Sequence, residues 1–431
     1  MNIRYNKIKN TLFAKNRINF AKKMKKNSVA IFCTNYEMHR NGDCNFPFRP
    51  DSDFFYLTGI NQEKSILVLV KNETVEEILF VLQSDEHLKI WEGEKFNIEN
   101  ASEISGIKNV QWLGNHEAYI KNKILQNQHI YINYFENDRH SLNQANPNTV
   151  LGNELKAQYP AYQFHRSAPI LKQLRCIKSS TEIKIIQQAC DITHKAFTNV
   201  LQNIQPGMME YEIEAEISYI FTKNGATAHA YSPIVASGKN ACVLHYIDNN
   251  NVCKDGDLVL MDFGAEYAYY AADLTRTIPV NSKFTKRQKE VYTACLNVFK
   301  YAKSIIQPGL SWEEYNKKIG IKMTKELCAI GLIDSTELQN PSSTAYRKYF
   351  MHGTSHFLGL DVHDVGDRSK NFKTGMLITC EPGIYITEEN IGIRIENDFL
   401  ITKNGVKDLM ENIPIEIEDI ENWMKNKRGK K

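Results

Sequence analysis

Short runs of β-branched and aromatic residues recur through the first part of the chain, each with the length of a buried strand. They cover residues 28–33, 65–70, 77–82 and 129–134, and the stretches between them are long enough for helices. This alternation predicts an α/β domain. A polar segment at residues 147–152 is expected to form a loop.

The later part of the chain opens with a helix-start pattern. Ser179 is followed three residues later by Glu182, which is the spacing of a capping box, and apolar residues recur at helical spacing behind it. The chain has 431 residues. A single core usually stops growing at roughly 250–300 residues. We therefore expect two domains, at residues 1–175 and 176–431.

Part of the pattern repeats within the second domain. Residues 204–207 (IQPG) return as residues 306–309, and an acidic helical stretch follows each copy. A glycine also lies six residues before both Asp262 and Glu381. Two copies of a helix, helix and hairpin unit would give a domain with pseudo-twofold symmetry and a site on its axis.

Carboxylates flank a first pair of strand-like runs in this domain. Asp262 ends one apolar run and Asp273 begins the next. An antiparallel pair with its turn centred between Tyr267 and Ala268 would place these carboxylates directly opposite each other, about 5 Å apart at Cβ. The absence of glycine there is unfavourable for a tight two-residue turn.

The same geometry applies to a second pair of runs. Glu381 and Glu396 would face each other across a turn centred between Glu388 and Glu389. Opposed like charges destabilise a hairpin. Two such pairs beside apolar strands therefore predict a bound cation.

His356 is the fifth candidate ligand. The spacing of His352 and His356 is that of a zinc-protease helix, but Gly353 stands where the HExxH motif has glutamate. We therefore reject the HExxH interpretation. One imidazole with four carboxylates forms an oxygen-rich site that suits Mn²⁺, Co²⁺ or Mg²⁺ at least as well as Zn²⁺, and we expect Mn²⁺.

Composition narrows the partners and the compartment. Lys and Arg number 53 against 50 Asp and Glu, and no basic block interleaved with aromatics occurs, so no nucleic-acid partner is expected. The basic residues 2–26 lack a signal-peptide apolar core and are expected to form an amphipathic surface helix. No run is apolar enough to span a membrane, and the nine cysteines form no CxxC pair. We expect a cytoplasmic protein without a membrane partner.

Four motifs occur in the order LVLMDFGAEYAYYAADLTRT, MHGTSHFLGLDVHD, CEPGIY and GIRIEN. Together with FRPDSDFFYLTG and AYSPIVASGKNACVLHY upstream, they resemble the bacterial Xaa-Pro aminopeptidase (aminopeptidase P) family of pita-bread metallopeptidases over most of the chain. The resemblance implies an α/β (α+β) protein. A smaller N-terminal α/β domain would precede a pita-bread (creatinase/aminopeptidase-like) catalytic domain with pseudo-twofold symmetry.

The resemblance also implies the metal chemistry. Asp262 would bind one of two divalent metal ions, Asp273 and Glu396 would bridge both, and His356 and Glu381 would bind the other. A solvent oxygen between the ions would be the nucleophile, since paired ions about 3.5–4 Å apart activate water and polarise the carbonyl. Glu381 would take its proton.

The substrate side follows from the same resemblance. His245 and His363 would hydrogen-bond the peptide and steady the tetrahedral intermediate. Further positions match residues of the pocket or of the metal surroundings: His352, Tyr231, Tyr385 and Arg394. Because strand side chains two apart share a face, Arg394 can reach the carboxylate cluster and offset its charge.

Two residues of the first domain have alternative interpretations. Asp43 and Trp91 lie in aromatic, turn-rich segments, where their ordinary role would be packing. In similar enzymes the matching residues line the site from a neighbouring subunit. This alternative predicts a homo-oligomer, either a tetramer or a dimer.

The expected activity is hydrolysis of the bond between an N-terminal residue and a following proline in a peptide. Prolidase, which cleaves Xaa-Pro dipeptides, shares the ligands and stays open as an alternative. Methionine aminopeptidases also share them but usually lack a large N-terminal domain. Non-catalytic pita-bread binding proteins and metal-free creatinase characteristically lack the ligand set, so retention of all five residues argues against those classes.

Overall fold

The protein divides into two compact units, Met1–Arg175 and Cys176–Lys431. The structure is a computed structural model, and it describes residues 4–136, 146–340 and 342–425. Within those ranges no helix combines the length and the apolar character that crossing a lipid bilayer requires.

The first unit is built around a mixed six-stranded sheet. The strands of this unit are β1 (Ser28–Cys33), β2 (His39–Asn41), β3 (Cys44–Asn45), β4 (Ile66–Lys71), β5 (Val75–Val81), β6 (Val110–Trp112), β7 (His129–Ile132) and β8 (Gln163–Arg166). The order of strands in the sheet is β6-β5-β4-β1-β7-β8. Strand β4 pairs antiparallel with β1 and β5, and the remaining pairs of the sheet are parallel. The four apolar runs predicted as strands are confirmed.

Helices connect these strands. They are α1 (Thr11–Lys23), α2 (Ser52–Thr58), α3 (Glu86–Glu92), α4 (Ile98–Ser105), α5 (His116–Leu125), α6 (Pro147–Gln158) and α7 (Ala168–Cys176). The loop predicted at residues 147–152 is wrong. Pro147 occupies the first turn of α6, and the Asn146 side chain caps it by accepting a hydrogen bond from the Thr149 amide. The basic N-terminal segment is helical only from Thr11, and residues 2 and 3 lie outside the described ranges.

The helices of the second unit repeat in pairs. They are α8 (Ser180–Asn203), α9 (Glu210–Lys223), α10 (Lys286–Ile305), α11 (Trp312–Ala329) and the later α12 (Ile417–Lys425). The predicted capping box is present at the start of α8, where Ser179 and Glu182 exchange hydrogen bonds. Gly207 and Gly309, which end the two IQPG copies, both have φ of +94°. Each copy therefore turns from one helix towards the next in the same way.

The strands of the second unit include two long, irregular hairpins. The strands are β9 (Ala228–His229), β10 (Ile234–Ser237), β11 (Leu258–Phe263), β12 (Ala265–Tyr267), β13 (Tyr270–Ala271), β14 (Leu274–Pro279), β15 (Leu377–Cys380), β16 (Gly383–Ile386), β17 (Ile391–Arg394), β18 (Asn397–Thr402) and β19 (Gly405–Asp408). We call residues 258–279 the first arm and residues 377–402 the second arm. Together the two arms carry Asp262, Asp273, Glu381 and Glu396.

The predicted register of the first arm is wrong, because the turn lies one residue later in the chain than predicted. Tyr267 pairs with Tyr270, so the turn is centred between Ala268 and Tyr269, both of which have positive φ as in a type I′ turn. Asp262 consequently pairs with Thr275. Asp273 lies diagonally from Asp262 rather than directly opposite it, but on the same face.

Gly264 interrupts the first arm between β11 and β12. A Cβ there would come within 1.7 Å of the Ala272 carbonyl oxygen, so only glycine fits this crossing. Across the hairpin from Gly264, the Asp273 amide donates a hydrogen bond to Asp398 Oδ2 of the second arm. The irregularity therefore turns the backbone of Asp273 towards the second arm.

The predicted register of the second arm is confirmed. Gly383 pairs with Arg394 and Cys380 with Asn397, so the same register runs through both segments of the arm. The turn is a short 3₁₀ segment, Thr387–Glu389, followed by Asn390 in the left-handed region. Glu381 and Glu396 accordingly lie across from each other.

Candidate metal centre and substrate site

The structure brings the five predicted ligands into one cluster. Ligand atoms of Asp273, His356 and Glu396 lie within 4.8 Å of one another, and all three side chains are buried. His356 Nε2 is 3.4 Å from Asp273 Oδ2 and 3.7 Å from Glu381 Oε1. Asp262 is tied to the same cluster through Tyr231 and Arg394.

Tyr231 connects the two carboxylates of the first arm. Its hydroxyl lies within hydrogen-bond distance of Asp262 Oδ1, and 2.5 Å from Asp273 Oδ1. Burial raises the pKa of the Tyr231 hydroxyl well above its usual range, and the nearby carboxylates add to the shift. Tyr231 therefore stays protonated and can donate to this pair.

Arg394 connects the second arm to the first. Its Nη2 donates to Asp262 Oδ2 at 2.6 Å, and its Nε donates to the Thr275 hydroxyl at 3.1 Å. Nη1 donates to the Tyr385 hydroxyl at 2.9 Å. The guanidinium thus offsets the charge of the carboxylate cluster, as strand periodicity predicts.

The chain of hydrogen bonds continues from Tyr385 to His352. His352 Nε2 lies 2.8 Å from the Tyr385 hydroxyl, and Nδ1 lies 2.9 Å from the Gly353 carbonyl oxygen. Because a carbonyl only accepts, Nδ1 carries the proton and Nε2 accepts from Tyr385. Burial, with nearby Arg394, lowers the pKa of His352 to about 4, so this imidazole is neutral at physiological pH.

The orientation of His356 is set by a backbone carbonyl. His356 Nδ1 donates to the Phe357 carbonyl oxygen at 2.9 Å. The lone pair of Nε2 is therefore available on the side of Asp273 and Glu381, as a metal ligand requires. The exposed ring of His363 packs edge-on against the His356 ring, with centroids 4.4 Å apart.

Burial and repulsion govern the protonation of the carboxylates. Burial raises the pKa of Asp273 and Glu396 well above the usual range, and neighbouring carboxylates add to both shifts. Burial also raises the pKa of Glu381 to about 7, although His356 opposes the shift. Glu396 Oε1 is buried and has no hydrogen-bond partner within the described ranges. A divalent cation would bond this oxygen and offset the repulsion, so the residues present fit a metal centre.

Two residues that support the cluster were not identified from the sequence. Thr275 donates to Glu396 Oε2 at 2.7 Å, and Asp398 accepts the Asp273 amide at 3.1 Å. Each lies two residues after a ligand. Strand periodicity could therefore have placed both on the ligand face.

The remaining predicted site residues lie in different surroundings. His245 is exposed in the segment after β10, and it lies near His352. Asp43 lies in the turn between β2 and β3, and Trp91 on α3 is 76% exposed. Both belong to the first unit and are open to solvent in the single chain, so neither serves the packing role that the sequence also allowed.

Comparisons with known proteins agree with this arrangement. Residues 184–403 match metallopeptidase family M24, and residues 13–131 match the aminopeptidase P N-terminal domain. The chain is 38% identical to Xaa-Pro aminopeptidase of Haemophilus influenzae, with 96% of each chain covered. It is 34% identical to Xaa-Pro aminopeptidase of Escherichia coli, with 96% of this chain and 97% of that protein covered.

A solved structure extends the similarity to the whole fold. Zinc-substituted E. coli aminopeptidase P in complex with product superposes with a TM-score of 0.91 at 32% identity, covering 99% of this chain and 100% of that one. The N-terminal α/β unit and the pita-bread unit are both included in this match. The chain therefore belongs to metallopeptidase family M24, as a member that carries an aminopeptidase P N-terminal domain.

Proposed function

We propose that this protein is a metal-dependent aminopeptidase that hydrolyses the bond between an N-terminal residue and a following proline. The observation that carries the proposal is the cluster of four carboxylates and one imidazole, in which Asp273, His356 and Glu396 are buried and Glu396 Oε1 has no protein partner within the described ranges. The substrate class comes from relatives, because the similar bacterial proteins are named Xaa-Pro aminopeptidase.

We propose two divalent ions, with Mn²⁺ as the native metal. Asp262, Asp273, His356, Glu381 and Glu396 would hold them. Bound there, divalent ions supply Lewis acidity that polarises the scissile carbonyl and lowers the pKa of water. The oxygen-rich donor set supports Mn²⁺, although Co²⁺ or Zn²⁺ would also fit.

The protein's own groups handle the proton and the substrate. Glu381 would accept a proton from water and deliver it to the leaving amine. His352 is neutral, so it would lie beside the peptide without adding a positive charge there. Exposed His245 and His363 would hydrogen-bond the peptide and the oxyanion.

Three further side chains would complete the site. Tyr231 keeps the carboxylates of the first arm together, and Arg394 bridges the two arms. The Tyr385 hydroxyl accepts a hydrogen bond from Arg394 and donates one to His352. Each would fix the position of a reacting group rather than take part in bond making.

Asp43 and Trp91 support a proposal about assembly. Both are exposed on the single chain, which suits residues that line the site of a neighbouring subunit. We propose a homo-oligomer, a tetramer or a dimer. Size-exclusion chromatography with light scattering tests it, and an active monomer would contradict it.

We also propose a cytoplasmic location. The nine cysteines are all free, and six of them are buried, which suits a reducing compartment. Cell fractionation followed by immunodetection tests the location. Recovery in an oxidising compartment, with disulfides formed, would contradict it.

One activity assay tests the proposed function. Xaa-Pro dipeptides, Xaa-Pro-containing tripeptides and longer peptides are incubated with the protein, with Mn²⁺ or with a chelator. We expect Mn²⁺-dependent release of the N-terminal residue from tripeptides and longer peptides. Turnover of dipeptides alone would assign prolidase instead, and activity that resists the chelator would contradict a metallopeptidase.

A further inference from the structure

A buried ion pair outside the ligand cluster joins two segments of the second unit that are distant in sequence. Lys178 Nζ lies 2.9 Å from Asp364 Oδ2, and each side chain is only 1% exposed. Lys178 stands shortly before helix α8, whereas Asp364 directly follows His363. Withdrawing two charges from water is costly, so a pair of this kind is weak evidence for a purely stabilising role.

The surroundings hold the ion pair in one place. A Cβ on Gly359 would lie 2.1 Å from Asp364 Oδ2 and 2.9 Å from Lys178 Cε, so the missing side chain lets the pair pack against the backbone. The Lys178 amide donates to the Gly375 carbonyl oxygen at 2.8 Å. The lysine is therefore anchored at its backbone as well as at its ammonium group.

The segment of residues 357–364 connects this ion pair to the metal centre. The Asp364 amide donates to the Phe357 carbonyl oxygen at 2.9 Å, and the same oxygen accepts His356 Nδ1 at 2.9 Å. Between these contacts, the ring of His363 packs against the ring of His356. A shift of Asp364 would therefore move His363 and disturb the carbonyl that orients His356.

We propose that Lys178 is a positioning residue for His363 and acts through Asp364. The ammonium holds the carboxylate, the carboxylate fixes its own backbone, and the adjoining imidazole faces the site at a defined distance from His356. This inference rests on the proposed function, in which His363 contacts the peptide. It assigns a role in turnover to a lysine outside the ligand cluster.

The first test compares Lys178 variants with wild type on a tripeptide that carries proline second. Lys178→Met, which keeps the stem and removes the charge, is expected to lower kcat/KM by about 10–100-fold, the loss typical when the partner of a functional side chain is removed. The loss is expected mainly in kcat, because His363 acts on the tetrahedral intermediate. Lys178→Arg is expected to recover part of it. Turnover is measured at saturating Mn²⁺, so that a change in the orientation of His356 does not enter the comparison as lost metal.

Lys322→Met is the matched control. It removes a helix ion pair with Glu326 in the same unit, away from the site, and is expected to retain wild-type kcat/KM. Undiminished kcat in Lys178→Met would overturn the inference while leaving the proposed function intact. Wild-type protein that cleaves no Xaa-Pro peptide would overturn the proposed function and this inference with it.

A double-mutant cycle separates positioning from general destabilisation. If Lys178 acts through His363, Lys178→Met should add less than about twofold to the loss caused by His363→Ala, since coupled residues are not additive. Fully additive losses would overturn the inference. If Lys178→Met does not fold, the Lys178→Met/Asp364→Asn pair, which leaves no buried unpaired charge, is measured in its place.

Discussion

The two arms of the second unit have the same design but differ in how plainly their sequences specify it. Each is an antiparallel hairpin made of two paired segments that share one register. In each arm, two carboxylates lie next to the break between the segments. In the second arm, the turn lies where the sequence predicted it. In the first arm, the turn lies one residue further on, and Asp262 is diagonal to Asp273.

The difference comes from the two turns. The second arm turns through exposed polar residues and ends in Asn390, a residue type that tolerates positive φ. The first arm turns through Ala268 and Tyr269, which are buried and adopt positive φ without the usual Asn-Gly signal. Tertiary packing thus fixes the first turn, whereas local chemistry fixes the second.

The largest expected effect separates the chemical roles of the arms. Glu381→Gln in the second arm is expected to lower kcat by about 10²–10⁴-fold, because the amide cannot accept a proton. Steady-state kinetics on a proline-containing tripeptide measures it. Glu388→Gln, an exposed carboxylate in the turn of the same arm, is the control and should keep full activity. Comparable kcat in both variants would remove Glu381 from the mechanism.

The next effect concerns the ligand that belongs to neither arm. Loss of a hydrogen-bond partner of a ligand typically weakens metal binding by about 10–100-fold. His356→Ala is expected to weaken it further, because the substitution removes a ligand atom itself. Metal content after dialysis and titration calorimetry both measure the change. His194→Ala, a half-buried histidine on α8, should bind metal normally. Unchanged metal content in His356→Ala would contradict the ligand assignment.

A third effect concerns the protonation of Glu381 in the second arm when no metal is bound. The pKa of Glu381 is raised from 4.5 to about 7 by burial, so the folded state holds a proton that the unfolded state releases. Stability from this group is therefore present below the unfolded pKa and is lost as pH rises towards 7. With a chelator present, the Tm of wild type should fall relative to Glu381→Gln across this range.

Metal should reverse the trend, because cations bind the deprotonated carboxylates. Thermal unfolding at several pH values, with chelator and with saturating Mn²⁺, measures both slopes. A difference of 1 kcal/mol corresponds to about 2–4 °C in Tm for a domain of this size. Parallel pH profiles for wild type and Glu381→Gln in chelator would contradict the prediction.

The smallest effect concerns the turns. Asn390→Ala is expected to destabilise the protein by about 1 kcal/mol, because alanine pays for a left-handed conformation that asparagine tolerates. Asn390→Gly should be nearly neutral. Chemical unfolding of the three proteins compares their free energies. Equal stability of the alanine and glycine variants would show that the second turn, too, is fixed by packing.

Local signals account for what could be predicted from the sequence. The capping box at Ser179 and the four strand runs of the first unit depend on neighbouring residues, and both are confirmed. Polar residues dominate the segment that begins at Pro147, and on that ground the sequence predicts a loop there. Its helix is specified by the Asn146 cap and the proline in its first turn.

The candidate site shows the same limit. Strand alternation placed Arg394 on the ligand face, and Arg394 does contact Asp262. The same alternation places Thr275 and Asp398 on the ligand face, but which atoms they contact depends on how the two arms cross. The ion pair of Lys178 and Asp364 joins residues far apart in the chain, so spacing alone could not identify it.

The close approach at Gly264 limits how this sequence can vary. Every side chain, even a single methyl group, would collide with the carbonyl of Ala272. In a saturation library selected for activity, this codon should therefore tolerate only synonymous changes.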